Sequence, residues 1–312
     1  MIQASTLRLL ALSVLFFVTF FTTLAPAVER LQPSAHAPQN TSDRVDIALV
    51  LAVDVSSSIE TSERLFQRQA YAAALSDLRV ANIAFAGEAG RVAIAYMEWS
   101  GKRYQRVHLP MRVLTTPEEL AAFGAEIMAI PDRPSDPMYM QPTALGDALL
   151  AAETAMATFT GPARDYVIDI SGDGVMNDGF AMQTAREHVL ARGMTVNGLP
   201  IEMSGNPENM NGTTVDAVSR YYADCVIGGP GAFHLVARGF EDIRETLIMK
   251  LMLEMAALPP KEKRRMAAAW NMQRTVPEAR IVPAMVIELQ PAKPHKRSST
   301  DCANGNSPLI IP

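Results

Sequence analysis

Seven apolar residues in succession, Ile47 to Val53 ("IALVLAV"), constrain the fold of this chain more than any other stretch. A strand with one face in water alternates polar and apolar side chains. A β-branched run without a polar member belongs to a strand buried on both faces, which needs a covering layer on each side of its sheet. The chain can supply such layers, with 312 residues, 48% of them apolar and 20% charged. The run ends abruptly in Asp54, Ser56, Ser57 and Ser58. Short polar side chains there suit a strand-to-helix turn or an oxygen cage for a hard metal ion. The rest of the chain has to decide between the two.

Downstream, apolar runs alternate with amphipathic segments. "ERLFQRQAYAAALSDL" places Leu65, Phe66, Gln69, Ala72 and Leu75 at helical spacing. "RVAIAYMEWS" reads as a second buried strand, and "YQRVHLPMRVL" alternates as an edge strand does. "PEELAAFGAEIM" opens with Pro117 and two acids, which suit a first helical turn. "TALGDALLAAETAMATF" sets Leu145, Ala148, Leu149, Ala152, Met156 and Phe159 along one helix face. "DYVIDISGDG" is a strand running into a glycine-flanked acid, and "AMQTAREHVLAR" is a helix closed by Gly193. "MTVNGLPI" and "AFHLVA" read as strands, "TVDAVSRYYA" as a short helix and "FEDIRETLIMKLMLEMAAL" as a final one. The expected fold is α/β: a doubly wound, mostly parallel six-stranded sheet with one antiparallel edge strand and helices on both faces.

The ends differ from this pattern. "LLALSVLFFVTFFTTLAPA" follows Arg8 and precedes two small-x-small sites, at Ala25–Ala27 and Ala35–Ala37. That order reads as a signal peptide over residues 1–27, with the alternative cleavage at 37 hindered by Pro38. The second reading is an uncleaved signal anchor, the apolar run being close to the lower limit for a membrane span. Both put the folded part outside the cytoplasm, in the periplasm or secreted. Residues 28–44 read as a flexible lead, 45–258 as the folded domain, and the basic, proline-rich 259–312 as an unstructured tail. An oxidising compartment permits a disulfide between Cys225 and Cys302, but Cys302 falls in that tail, so two unpaired or accidentally paired thiols are expected. The net charge of -5 argues against nucleic acid as the main partner.

Ligands of an open parallel sheet gather at the carboxyl ends of its strands. Asp54, Ser56 and Ser58 follow the first strand, and Asp173 follows the strand Tyr166 to Ser171. Thr143 opens a helix that must run back from that same edge to feed the parallel strand after it. Asp-x-Ser-x-Ser, a later threonine and a later aspartate in these slots resemble the von Willebrand factor type A (vWA) domain. The resemblance extends over Asp46 to Leu258 and includes the antiparallel edge strand. "VIGGPGAF" narrows it to an uncharacterised bacterial family of exported proteins made of one such domain. The resemblance implies a metal-ion-dependent adhesion site (MIDAS) formed by Asp54, Ser56, Ser58, Thr143 and Asp173, holding Mg2+, with Mn2+ or Ca2+ as substitutes. It also implies a partner protein whose Asp or Glu carboxylate completes the ion's coordination. The donor set is chemically apt, since hydroxyls add no charge and two carboxylates balance a divalent ion without repelling an incoming acid.

Each residue also has a plainer role. Ser57-x-x-Glu60 fits a capping box, Thr143 fits an N-cap and Asp173 fits a turn. A rival function comes from "GDGVMND", which resembles the haloacid dehalogenase phosphatases and would make Asp54 a nucleophile. Against it, position 56 is a serine where those hydrolases place an acid, and Lys102 lies too early to neutralise phosphate. No enzymatic activity is expected. Met138, Tyr139 and Met140, apolar residues in a loop leading to Thr143, are candidate partner contacts. Asp178 and Glu98 are expected to border the edge without being ligands.

Overall fold

The computed structural model describes residues 44–132, 141–202, 217–274 and Cys302. Met138, Tyr139, Met140, the segment read as a signal peptide and most of the tail lie outside the described residues.

Among the described residues, six strands form one layer in the order β3-β2-β1-β4-β5-β6. They are β1 (Val45–Asp54), β2 (Val92–Trp99), β3 (Gln105–Leu114), β4 (Ala163–Gly172), β5 (Thr195–Glu202) and β6 (Ala237–Arg238). All neighbouring pairs are parallel except β2 and β3, which run antiparallel at the edge. Every residue of β1 and β2 is buried, whereas all of β3 but Leu114 is half-buried or exposed, and shifts in its register with β2 break the expected strict alternation. The expected sheet is therefore the observed one, a vWA-like α/β sheet.

Two apolar layers enclose it. Leu49, Leu51 and Ile94 meet α1 (Thr61–Leu75), α2 (Leu78–Ala84), α3 (Pro117–Met128) and α7 (Ile243–Met255) on one face. Val50, Ala95 and Ile168 meet α4 (Leu145–Met156), α5 (Met182–Ala191) and α6 (Ala217–Tyr221) on the other. α3 spans the expected residues and is capped by Thr116, whose hydroxyl accepts from the Glu119 amide at 3.2 Å. Gly193 after α5 takes the left-handed conformation (φ 81°) that closes a helix.

Four local expectations need correction. First, α1 presents a different face: Leu65 and Phe66 are 39% and 50% exposed, while Arg64, Gln67, Arg68 and Tyr71 are buried. Gln67, Arg68 and Tyr71 face the sheet because they have partners there, whereas Arg64 bonds to the Ile59 carbonyl (3.0 Å) and to Asp132 (3.2 Å). Arg68 grips Glu98 of β2 through two bonds of 2.7 and 2.9 Å and donates a third to the Ile130 carbonyl (2.9 Å). A bidentate guanidinium–carboxylate pair meets the hydrogen-bonding needs of both buried charges. The cap of α1 also differs, since Glu63 accepts from the Glu60 amide (2.7 Å) and Ser57 is not its cap.

Second, β6 has only two residues, because the segment before it meets β5 at a single isolated bridge, Gly198 with His234. The Gly198 and Leu235 amides still bond toward and from β5 (3.1 Å each). On the outer side, Asn271 accepts from the Val236 amide and donates to the His234 carbonyl, both at 3.0 Å. One side-chain amide thus stands in for a strand and covers the edge.

Third, that asparagine belongs to α8 (Pro260–Arg274), a helix where an unstructured tail was expected. Its Ala267 and Trp270 pack with Phe233, Leu235 and Leu253. Fourth, Cys225 and Cys302 form a disulfide across 77 positions. Cys225 lies in a single π turn (Tyr222–Val226) that continues α6.

Below α7 a second buried ionic group ties helix to sheet. Lys250 lies 2.7 Å from Asp169 of β4 and also pairs with Glu254, all three fully buried. Among the described residues no helix is long and apolar enough to cross a membrane.

Candidate metal centre

The β1–β4 register aligns Val53 with Ser171, so Asp54 and Asp173 emerge at the same carboxyl edge. Asp54 is the last residue of β1 and wholly buried. Its Oδ1 accepts from the Ser56 amide at 2.7 Å, and its carbonyl from Gln67 Nε2 at 3.2 Å. The Ser56 and Ser58 hydroxyls are 3.3 Å apart, and Ser58 Oγ donates to Asp173 Oδ1 at 2.7 Å. Four of the five expected positions are thus linked in one hydrogen-bonded chain, through the Ser56 amide and the two serine hydroxyls.

Thr143 joins them through the backbone. The Ser57 amide donates to the Gln141 carbonyl (3.0 Å) and the Ala144 amide to that of Ser100 (3.0 Å). The Thr143 amide donates to Asn177 Oδ1 (2.8 Å), while the Asn177 and Asp178 amides return bonds of 3.1 and 3.3 Å to the Thr143 carbonyl. Thr143 Oγ1 would lie 3.4 Å from a Cβ on Gly174, next to Asp173. α4 begins after Ala144 without a side-chain cap bond, so the Thr143 hydroxyl is not used as an N-cap. The plainer roles of Ser57 and Thr143 are therefore absent.

The electrostatics favour a cation. Burial, and secondly the nearby Asp173, raise the Asp54 carboxyl well above the ordinary aspartate range. Asp173 is pushed up to about 6, chiefly by burial and further by Glu63, against the lowering effect of the Ser58 bond. Asp54 Oδ2 is buried without a hydrogen-bond partner. Two carboxylates, one of them with an orphaned oxygen, and three hydroxyls fit a hard divalent ion. Among the described residues no three His, Cys, Asp or Glu side chains cluster as a metal site, so hydroxyls would have to complete this one.

The bordering acids have other partners. Glu98 accepts from Arg68 and from the Tyr96 hydroxyl (3.2 Å) and lies 3.1 Å from His108 Nε2. Asp178 pairs with Lys102 at 3.6 Å. With Lys102 so engaged, and Asp54 buried beside a serine-rich turn, the phosphatase reading is not favoured. Asn177, which orients Thr143, was missed by sequence reasoning, although its place in "GDGVMND" after the strand could have flagged it. Gln67, Gly172 and Tyr222, which also surround Asp54, carry no signal in the sequence.

The model of a family described as "Protein of unknown function (DUF1194)" matches residues 44–259. The chain belongs to that family. The match ends where α8 begins. No curated protein matches the chain. Several solved structures are similar in shape. Proximal thread matrix protein 1 from the mussel byssus, whose structure has a zinc-occupied MIDAS motif, is 17% identical, with a TM-score of 0.45 over 67% of this chain and 48% of its own. The pilus adhesin SpaC from Lactobacillus rhamnosus GG is 12% identical, with a TM-score of 0.49 over 68% and 31%. A von Willebrand factor type A protein from Catenulispora acidiphila is 14% identical, with a TM-score of 0.45 over 68% and 43%. This chain spans less than half the length of each of the three. The fold assignment for this member of the family rests on its own strand order and directions.

Proposed function

We propose that this protein is an exported, metal-dependent protein-binding module. The vWA-like fold supports a protein-interaction role. Asp54, Ser56, Ser58, Thr143 and Asp173 would hold a divalent ion, Mg2+ by the hardness of the donors, with Mn2+ and Ca2+ compatible. The bound ion would supply a Lewis-acidic point for an oxygen ligand. This chain's part is to keep that point rigid: Gln67 and the Ser56 amide fix Asp54, Ser58 fixes Asp173, and Asn177 fixes Thr143. A partner carboxylate, from Asp or Glu, is the expected ligand, because two carboxylates balance the ion without the excess negative charge that would repel an incoming acid. The disulfide supports an oxidising compartment, in keeping with export to the periplasm or beyond.

The observation that carries this reading is the orphaned, fully buried Asp54 Oδ2 in a site whose acting charges are acidic. The test is calorimetric titration of Mg2+ into wild type and Asp54→Ala, followed by binding to Asp- and Glu-bearing peptides and their Asn and Gln counterparts. Binding that requires both the metal and a peptide carboxylate, and is lost in Asp54→Ala, supports the module. Absence of metal binding, or peptide binding indifferent to a chelator, sinks it.

A further inference from the structure

Directly beneath the proposed ion site lies a tyrosine that packing alone does not explain. Tyr222, in the π turn after α6, is fully buried, and its hydroxyl has no hydrogen-bond partner. Burying an unsatisfied hydroxyl costs about 1–3 kcal/mol, which a phenylalanine would avoid. The ring lies against Gly198 of β5, where a Cβ would stand 2.6 Å from Tyr222 Cδ1. The hydroxyl reaches Gly172 of β4, where a Cβ would stand 2.9 Å from Tyr222 Oη and 2.7 Å from Asp54 Oδ2. Two glycines on neighbouring strands thus leave a slot for one phenol, and the slot leads to the one Asp54 oxygen that the Ser56 amide does not hold. Both oxygens, one a donor and one an acceptor, border the same small space without bonding to each other.

We propose that Tyr222 is a positioning residue of the ion site: in the ion-bound state its phenol O–H donates to Asp54 Oδ2 across the space left by Gly172, and holds that carboxylate in the orientation a divalent ion requires. The inference rests on the divalent-ion reading above. Groups that orient metal-binding carboxylates from behind commonly matter 10- to 100-fold in affinity. Here the donor sits on a turn anchored by the Cys225–Cys302 disulfide and by the Ile227 amide, which donates to the Tyr222 carbonyl at 3.0 Å.

The test uses the full chain and MgCl2. Calorimetry should show Tyr222→Phe binding Mg2+ about tenfold more weakly than wild type, while the metal-free melting temperature does not fall, since only an unsatisfied hydroxyl is removed. Adding Mg2+ should perturb tyrosine ultraviolet absorption in wild type and not in Tyr222→Phe. In a Gly172→Ala background, where the methyl group separates the two oxygens, Tyr222→Phe should cost no further affinity. Equal Mg2+ affinity of wild type and Tyr222→Phe overturns the role of Tyr222 and leaves the metal site standing. A lower metal-free melting temperature with unchanged affinity does the same, by showing a packing role. Wild type that binds no Mg2+ overturns both.

Discussion

Replacing Asp54 by asparagine should make the metal-free protein more stable while removing its response to metal. The side chain keeps its shape, so Oδ1 still accepts from the Ser56 amide. What changes is Oδ2, buried without a partner, in a carboxylate whose ionisation is opposed first by burial and then by Asp173. In Asp54→Asn an NH2 group replaces it and can donate toward the Tyr222 oxygen in the space above Gly172. Relieving one buried unsatisfied, charged group is worth about 2 kcal/mol. For a domain of this size that is about 5 °C in melting temperature.

The pH dependence has a definite sign. A carboxyl whose folded pKa is raised contributes its stability below its unfolded value, 3.8, and loses it as pH rises through the folded value. The advantage of Asp54→Asn should therefore be absent in acid and grow toward neutral pH. Magnesium should reverse the order, since a ligand at 100 times its Kd stabilises the native state by about 2.7 kcal/mol. Differential scanning fluorimetry with EDTA and with MgCl2, at several pH values, measures all of this. If Asp54→Asn melts lower than wild type in EDTA at neutral pH, or if MgCl2 raises both equally, the reasoning fails.

Three further outcomes are expected. Arg68→Met strands the buried Glu98 and should cost about 3–5 kcal/mol in denaturant unfolding, whereas a loss under 1 kcal/mol would deny the pair its structural part. Burial alone would raise Glu98, but His108 and Arg68 hold it down to about 2 from 4.5, so its stabilisation is present above pH 4.5 and lost as pH falls toward 2; Glu98→Gln should flatten the acid limb of the stability profile. Cys302→Ser opens a closure of 77 positions and should cost about 2–4 kcal/mol under non-reducing conditions, with a reductant producing the same loss in wild type.

Much of the fold was legible because apolar periodicity is a local signal. The uninterrupted runs of β1 and β2, the exposed edge character of β3, and the Pro117 and Gly193 boundaries each follow from neighbours in sequence. The five candidate ligands were legible for a related reason: strand and helix directions place Asp54, Thr143 and Asp173 on one edge whatever the packing details. α1 was misread because its inward face carries Arg68 and Gln67, which pattern reasoning assigns to water. Those groups can be buried only because Glu98 and the Asp54 carbonyl lie opposite them. α8 was missed for a similar reason, its basic composition concealing Ala267, Trp270 and Asn271 on the face that docks.

The sequence by itself therefore determined the layer order, the antiparallel edge, and the strand ends at which oxygens collect. Tertiary structure decided which polar groups could be buried, that Asn271 would complete a sheet edge, that Cys225 would meet Cys302, and that Tyr222 would lie against Gly172 beneath Asp54. The division has one physical cause. Burying an apolar side chain needs only a covering layer, which periodicity announces, whereas burying a polar one needs a particular partner at hydrogen-bond distance, and that partner can come from anywhere in the chain.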